Sequence, residues 1–317
     1  MTVHLPKRLT KRDQIKKNGI IYDIRRRQIL YLMALPGILY YVIFHYLPMG
    51  GIVLAFQDYD IFSGILHSPW AGLKHFRRLF ENELFYRALG NSLILSLLKL
   101  LICFPAPILF AILLNEIKSK KFMRTVQTIT YFPHFLSWVV VAGLLNTLLS
   151  PSDGAVNMLI TRLGGNAINF LVRKDMFRTI IVLSSLWVSL GWDSILYIAA
   201  INNIDTTLYE AATVDGAGRF RCMWHVTLPG IRSTIVMLLI LRIGAIMSNG
   251  FEQIFLLYSP MVYEVGDVLE TYVYRIGMVD ARYDFSTAVG LFKSVVNFVL
   301  IVIANYVAKR AGEGGVF

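Results

Sequence analysis

A chain of 317 residues that is 56% apolar, 13% aromatic and 16% charged is too oily for one soluble domain, where about 45–50% apolar and about 25% charged residues are usual. Its formal net charge of +11 raises nucleic acid as a partner, but nothing else in the chain supports that class. The charges are arranged as a membrane topology.

Residues 1–28 are basic, with Lys7, Arg8, Lys11, Arg12, Lys16, Lys17 and Arg25 to Arg27. The apolar run behind them is longer than the core of a signal peptide and has no small-residue cleavage site, so a retained first span with a cytoplasmic tail is expected. A span needs roughly 20 mostly apolar residues. Six stretches qualify, 29–56, 92–114, 126–149, 179–202, 234–257 and 287–308. The expected fold is therefore an all-α polytopic protein, with residues 29–308 as a six-span domain and 309–317 as a short tail. Pro36, Pro48, Pro105, Pro107 and Pro133 mark bends within spans, tolerable where protein or water satisfies the freed backbone groups. Between the first two spans, Trp70 to Phe85 reads as an interfacial amphipathic stretch, with Leu73, Phe76, Leu79, Phe80, Leu84 and Phe85 opposite Lys74, Arg77, Arg78 and Glu81.

Six spans put both termini on one side. If that side is cytoplasmic, the inside segments hold 18 Lys and Arg against 7 carboxylates, and the outside loops 57–91, 150–178 and 258–286 hold 10 against 11. The positive-inside bias places the N-terminus and the loop 203–233 in the cytoplasm. The outer loops are close to neutral, and Tyr258, Tyr263, Tyr272 and Tyr274 are expected to form a docking surface there.

Catalytic and metal chemistry find little support. Cys103 lies in the second span and Cys222 in a cytoplasmic loop, so they form no disulfide framework. The six histidines show no metal-ligand spacing, and His45 and His134 read as satisfied interhelical or interfacial groups. No phosphate-binding G-x-x-x-x-G-K-[ST] run occurs, so the chain is not expected to hydrolyse ATP. No fixed-period repeat, low-complexity stretch or second soluble domain is visible.

The cytoplasmic loop carries the sharpest pattern. Leu208, Ala211, Ala212 and Ala217 offer a small apolar surface for close approach, Glu210 and Asp215 supply polar handles, and Gly216 permits a turn between two short helices. Phe220, Met223, Trp224 and Val226 recur at helical spacing and are expected to pack the second helix onto its own membrane domain, before Pro229 ends the hairpin. The run Glu210-Ala211-Ala212, three residues, Gly216, nine residues, then Val226-Thr227-Leu228-Pro229 resembles the EAA loop of ABC-importer permeases, with Val226 in place of isoleucine. Arg242 to Gly244, Gly250 to Tyr258, Asp267 to Arg275, Tyr46-Leu47-Pro48 and Phe56 to Tyr59 are similar to permeases of the carbohydrate-uptake, maltose-type family that import polysaccharide-derived oligosaccharides.

The resemblance implies the type I importer permease fold in a bacterial cytoplasmic membrane. It also implies a second homologous permease subunit, two ATP-binding cassette subunits and an extracellular or periplasmic sugar-binding protein. No cofactor is expected in this chain, and ATP and magnesium would reside on the partner subunits. Glu210, Ala211, Ala212, Asp215, Gly216 and Ala217 occupy the positions that dock on the ATPase. Oligosaccharide fragments of plant, algal or bacterial polysaccharides are the implied cargo, uronate-containing ones such as alginate or pectin-backbone fragments among them.

Ionisable groups inside spans are expensive and mark functional candidates. Five occur, Lys99, Asp193, Arg242, Glu252 and Lys293. At about 1.5 Å per residue, Lys99, Glu252 and Lys293 lie roughly 9–12 Å below the outer ends of their spans, where the lysines either line the pathway or snorkel. Asp193 and Arg242 lie roughly 14–15 Å from the inner ends and are expected to form a buried ion pair. Trp192 and Asn249 complete the expected pathway set. Trp187 is five residues from Trp192, so at most one of them faces the pathway, and Trp192 is the one chosen. A secondary transporter or channel should show a carboxylate relay or paired broken-helix repeats, and a membrane enzyme should show a catalytic constellation. Neither pattern is present.

Overall fold

The computed structural model describes residues 27–312 and is mostly helical; among the described residues the one extended pairing is a single bridge between Gln57 and Trp70. The basic segment before residue 27 and residues 313–317 lie outside the described part. The chain divides into two compact units, Met1–Val53 and Leu54–Phe317. In the first unit, α1 (Gln28–Tyr41) has no buried side chain and carries Pro36 in its interior. It continues through a π-helical turn, Val42–Tyr46, where Tyr40, Tyr41, Phe44 and His45 cluster. A helix that is apolar on every face suits lipid or a protein interior.

In the second unit, α2 (Lys74–Phe80) lies between the first two expected spans. Then α3 (Glu83–Ile102) and α4 (Pro105–Asn115) together make a 33-residue candidate span. Pro105 opens α4 at the first helical position, where a missing N–H costs nothing. The next stretch departs from the expected continuous third span. α5 (Lys120–Tyr131) and α6 (Trp138–Leu149) belong to arms that meet at 102°. Pro133 lies in the 3₁₀ turn Phe132–Phe135 that ends the first arm, and the Ser137 side chain accepts from the Val140 N–H to start α6 afresh. After α7 (Ala155–Arg162), α8 (Lys174–Asn202) runs without interruption and packs against α3, α4 and α5.

The fifth expected span, 234–257, is also broken. A hairpin of α9 (Thr206–Val214) and α10 (Arg219–Cys222) leads into α11 (Arg232–Gly244), which bends by 60° from the preceding arm. α11 stops at Gly244. The chain then passes through Gly250, at φ +83°, into α12 (Phe251–Leu257). α13 (Leu269–Tyr274) and the long α14 (Tyr283–Arg310) follow. Among the described residues, four helices are long and apolar enough to cross a membrane, or up to six if each bent pair counts as one span.

Buried side chains gather in three clusters, around Phe177 and Ile254, around Phe85 and Tyr272, and around Ile108 and Tyr197. Lipid is as apolar as these residues, so association among such helices rests on close packing and interhelical hydrogen bonds. Gly191 of α8 shows the first. A Cβ placed there would lie 2.4 Å from the Thr130 carbonyl oxygen of α5.

The segment 258–286 shows the second, and it is no loose loop. Asp267, with no exposed surface, receives Arg275 in a two-pronged contact at 2.5 and 3.1 Å and the Thr271 hydroxyl at 2.9 Å. That bond to Asp267 holds the Arg275 guanidinium above its ordinary pKa. Asn91 of α3 donates to the carbonyls of Glu264 and Asp267, both at 3.0 Å, and accepts from Arg178 of α8 at 2.7 Å. Tyr272 is fully buried, so it cannot belong to the docking surface expected of the four tyrosines. Removing one partner of a buried pair strands the other and costs about 3–5 kcal/mol. Asp267→Ala should therefore lower the thermal midpoint of the detergent-solubilised protein clearly, and Arg275→Gln on top of it should add little. An unchanged midpoint in the single variant would count against the pair as a structural tie.

Candidate functional site

Two regions of the second unit hold the residues singled out in the sequence. One is the hairpin. Asp205 caps α9 by accepting from the Thr207 N–H at 2.9 Å. At the other end Gly216 takes φ +77°, and the N–H groups of Gly216 and Ala217 donate to the carbonyls of Thr213 and Ala212 at 3.0 and 2.8 Å. This is the Schellman closure that a left-handed glycine makes possible. The Tyr209 hydroxyl meets the Thr227 hydroxyl at 2.9 Å and ties the two arms together. Arg219 reaches Glu116, just beyond α4, at 3.9 Å.

Glu210, Ala211, Asp215 and Gly216 are exposed, and Ala212 and Ala217 are half-buried. The expectation that Phe220 and Trp224 pack inward is overturned, since they are 77% and 65% exposed while Val214 is 88% exposed. Only Met223 of that set joins a buried cluster. The helical period was right, but its apolar side faces away from this chain's own core.

The other region is a cavity of about 560 Å³ between α4, α8 and α11, lined by Phe104, Trp192, Asp193, Tyr197, Leu238 and Arg242 among others. Trp192 stacks on His134 at 4.2 Å with the ring planes 5° apart, which gives the wall a flat aromatic face. Trp187 does not line the cavity. Asp193 and Arg242 face the same cavity and feel each other's charge, but they are not in ion-pair contact. The expected pair presumed a straight fifth span. α11 in fact ends two residues beyond Arg242, which leaves the guanidinium in the last helical turn on the cavity wall.

A smaller cavity of about 50 Å³ shares Arg242 and Ala245 with the first and adds Ser96, Lys99, Ser248 and Asn249. Lys99 does not snorkel. It is buried and donates to the Asn249 carbonyl at 2.8 Å and the Gln253 side-chain oxygen at 2.9 Å. Asn249 is buried as well, its side chain bonded to Ser96 and to the Ser92 carbonyl, its N–H donated to Glu270 at 3.1 Å. Lys293 is held in an ion pair with Glu270 at 2.6 Å. Glu252 is exposed and lines neither cavity.

Gln253 and Glu270 organise this region and were missed in the sequence. Gln253 lies in the helix that restarts after Gly250, and Glu270 in the separate α13; only the glycine hinted at the break.

A third grouping was also not legible. His75, which is fully buried, brings Nε2 to 3.4 Å from Asp58 and 3.5 Å from Asp284, and 2.9 Å from the Gln57 carbonyl. Asp58 binds Lys74 at 2.6 Å, and that bond holds its carboxyl below the usual range. Lys74 thereby supplies Asp58 with a counter-charge.

Comparison with known proteins gives the geometry its context. Residues 93–313 match the family model described as binding-protein-dependent transport system inner membrane component. The chain belongs to that family. The permease is 48% identical over 302 residues to the polygalacturonan/rhamnogalacturonan transport system permease protein YteP of Bacillus subtilis (strain 168), covering 95% of this chain and 94% of the relative. It is 47% identical to protein LplB of the same strain over 93% of this chain and 92% of that one. Among solved structures, a chain of a bacterial alginate ABC transporter in complex with alginate pentasaccharide-bound periplasmic protein superposes with a TM-score of 0.87 at 46% identity, covering 94% of this permease and 99% of that chain. The permease thus has the fold of an ABC importer subunit and is itself a transport component.

Proposed function

We propose that the chain is the pathway-forming subunit of an ATP-driven importer that takes oligosaccharides, uronate-containing ones included, from a binding protein into the cytoplasm. The observation that carries the reading is the end-to-end likeness to a polygalacturonan/rhamnogalacturonan permease, at 48% identity over 95% of the chain. In this reading the chain crosses a bacterial cytoplasmic membrane six times, with residues 1–28 and 309–317 inside, and pairs with a second permease. Two ATP-binding subunits carry ATP and magnesium. The exposed hairpin around Glu210 and Gly216 is the surface they grip, with Val214, Phe220 and Trp224 as the apolar plate beside it. The 560 Å³ cavity, within the size range of small-molecule sites, is a station on the pathway.

The test is the ATPase rate of the complex reconstituted with its partners. Sugar-loaded binding protein should stimulate hydrolysis several-fold over free sugar alone. Equal stimulation by the free sugar would refute delivery by a binding protein.

A further inference from the structure

The walls of the two joined cavities are out of electrical balance. Their charged groups are Lys99, Arg242 and Asp193, two cations against one carboxylate. The neighbouring carboxylate, Glu270, is already committed to Lys293 at 2.6 Å. Lys99 is solvated by neutral carbonyl oxygens of Asn249 and Gln253, which stabilise an ammonium by their dipoles but leave its charge uncompensated. An ammonium has three protons to donate. Two are engaged, and the third finds no acceptor among the described residues. The Arg242 guanidinium has no carboxylate in ion-pair contact and lines both cavities. A surplus positive charge in a weakly polar surround favours an incoming anion strongly.

The dimensions narrow the anion to a carboxylate on a larger body. The smaller cavity, about 50 Å³, has room for a few waters at about 10–15 Å³ each, and it suits a carboxylate head rather than a sugar ring. It shares Arg242 and Ala245 with the space of about 560 Å³ whose wall includes the exposed Trp192. An aromatic face next to a paired cationic corner presents an apolar surface to a ring and donors to its acidic substituent.

We propose that Lys99 and Arg242 form a carboxylate-binding subsite, in which a uronic acid unit of the transported oligosaccharide seats its carboxylate in the smaller cavity while its ring lies in the larger one near Trp192. The proposal rests on the importer reading above and adds to it a residue-level basis for selecting acidic cargo. Arg242 offers a guanidinium fork that matches a carboxylate in two-pronged geometry, and Lys99 offers one further proton. The corner is open on the Arg242 side, and a transport site must release what it binds.

The experiment compares uptake of tetragalacturonate with that of its fully methyl-esterified form, the same backbone without the charge. Both are supplied at concentrations that saturate the binding protein, to liposomes holding the complete importer. Arg242→Gln is expected to lower uptake of the acid about tenfold, the scale of one charge-assisted hydrogen bond, and to leave the ester near its wild-type rate. Lys99→Gln should act in the same direction. If its burial prevents assembly, Arg242→Gln, whose side chain is exposed, carries the test alone.

Equal losses for acid and ester in Arg242→Gln would overturn the subsite. So would an unchanged preference for the acid, which is the result expected if an inorganic counter-ion fills the corner. A wild-type importer that moves acid and ester equally would remove the subsite and leave the importer reading standing. Failure to move either saccharide with ATP would overturn the importer reading itself, and the subsite with it.

Discussion

Gly216→Val is expected to reduce ATP-driven uptake to background while the membrane domain stays folded. The reason is conformational and local. Gly216 sits at φ +77°, and a Cβ there would meet nothing within 4 Å, so the substitution creates no clash. A left-handed backbone costs an L-residue about 1–2 kcal/mol, and a β-branched side chain is the least tolerant of it. The cheapest relief is to open the Schellman closure between Ala212 and Ala217, which re-aims α9 and with it Glu210. Glu210→Ala, on the exposed face, should depress uptake without touching the turn. Pull-down of the ATP-binding subunits and uptake in liposomes measure both. Wild-type coupling in both variants would show that the hairpin is not the contact.

The second large effect is expected at Gly191. Its Cβ position lies 2.4 Å from the oxygen and 2.5 Å from the carbon of the Thr130 carbonyl, and backbone cannot step aside as a side-chain tip can. Adding even a methyl group must separate α8 from α5, and overpacking of this kind costs about 1–3 kcal/mol. Gly191→Val should therefore lose most of the properly assembled protein on size-exclusion chromatography, and Gly191→Ala should show a lowered thermal midpoint. Gly290→Ala is the control, because nothing stands within 4 Å of its Cβ position. A Gly191→Ala protein as stable as that control would refute the close approach.

What could be read in the sequence follows from what a one-dimensional pattern encodes. Apolar runs report membrane depth, so the helical class and the candidate spans were visible. The hairpin was legible because its signals are local, with a cap, an alanine face and a glycine within a few residues. Breaks were harder. Pro133 was noticed, but a proline alone does not distinguish a kink from a 102° turn; the added cap at Ser137 and the tight turn before it decide that. The fifth expected span loses its helix at Gly244 and restarts after Gly250, and a largely apolar sequence continuing to Leu257 hid the break.

Contacts that depend on distant parts of the chain carried no local signal. Lys293 meets Glu270 because α14 packs back on the short α13. His75 meets Asp284 from more than two hundred positions away. Depth counting along an imagined straight helix placed Asp193 and Arg242 level with each other, and that geometry failed where the helix ended. The periodicity of Phe220, Met223 and Trp224 identified an apolar face correctly but not that Phe220 and Trp224 point away from this chain's own core.

The 60° elbow between the arm Arg219–Gly230 and the helix Arg232–Gly244 has a mechanical meaning. Two stiff rods joined at a fixed angle make a bell crank, which converts a push in one plane into a swing in another. Arg242 lies about 15 Å along its rod from the elbow. If arm and rod turn together, a rotation of about 10° displaces that guanidinium by about 2.6 Å over such a length, roughly the reach of one hydrogen bond. A small stroke applied at the hairpin would then suffice to carry a cation toward or away from a bound anion, with no helix needing to melt or slide.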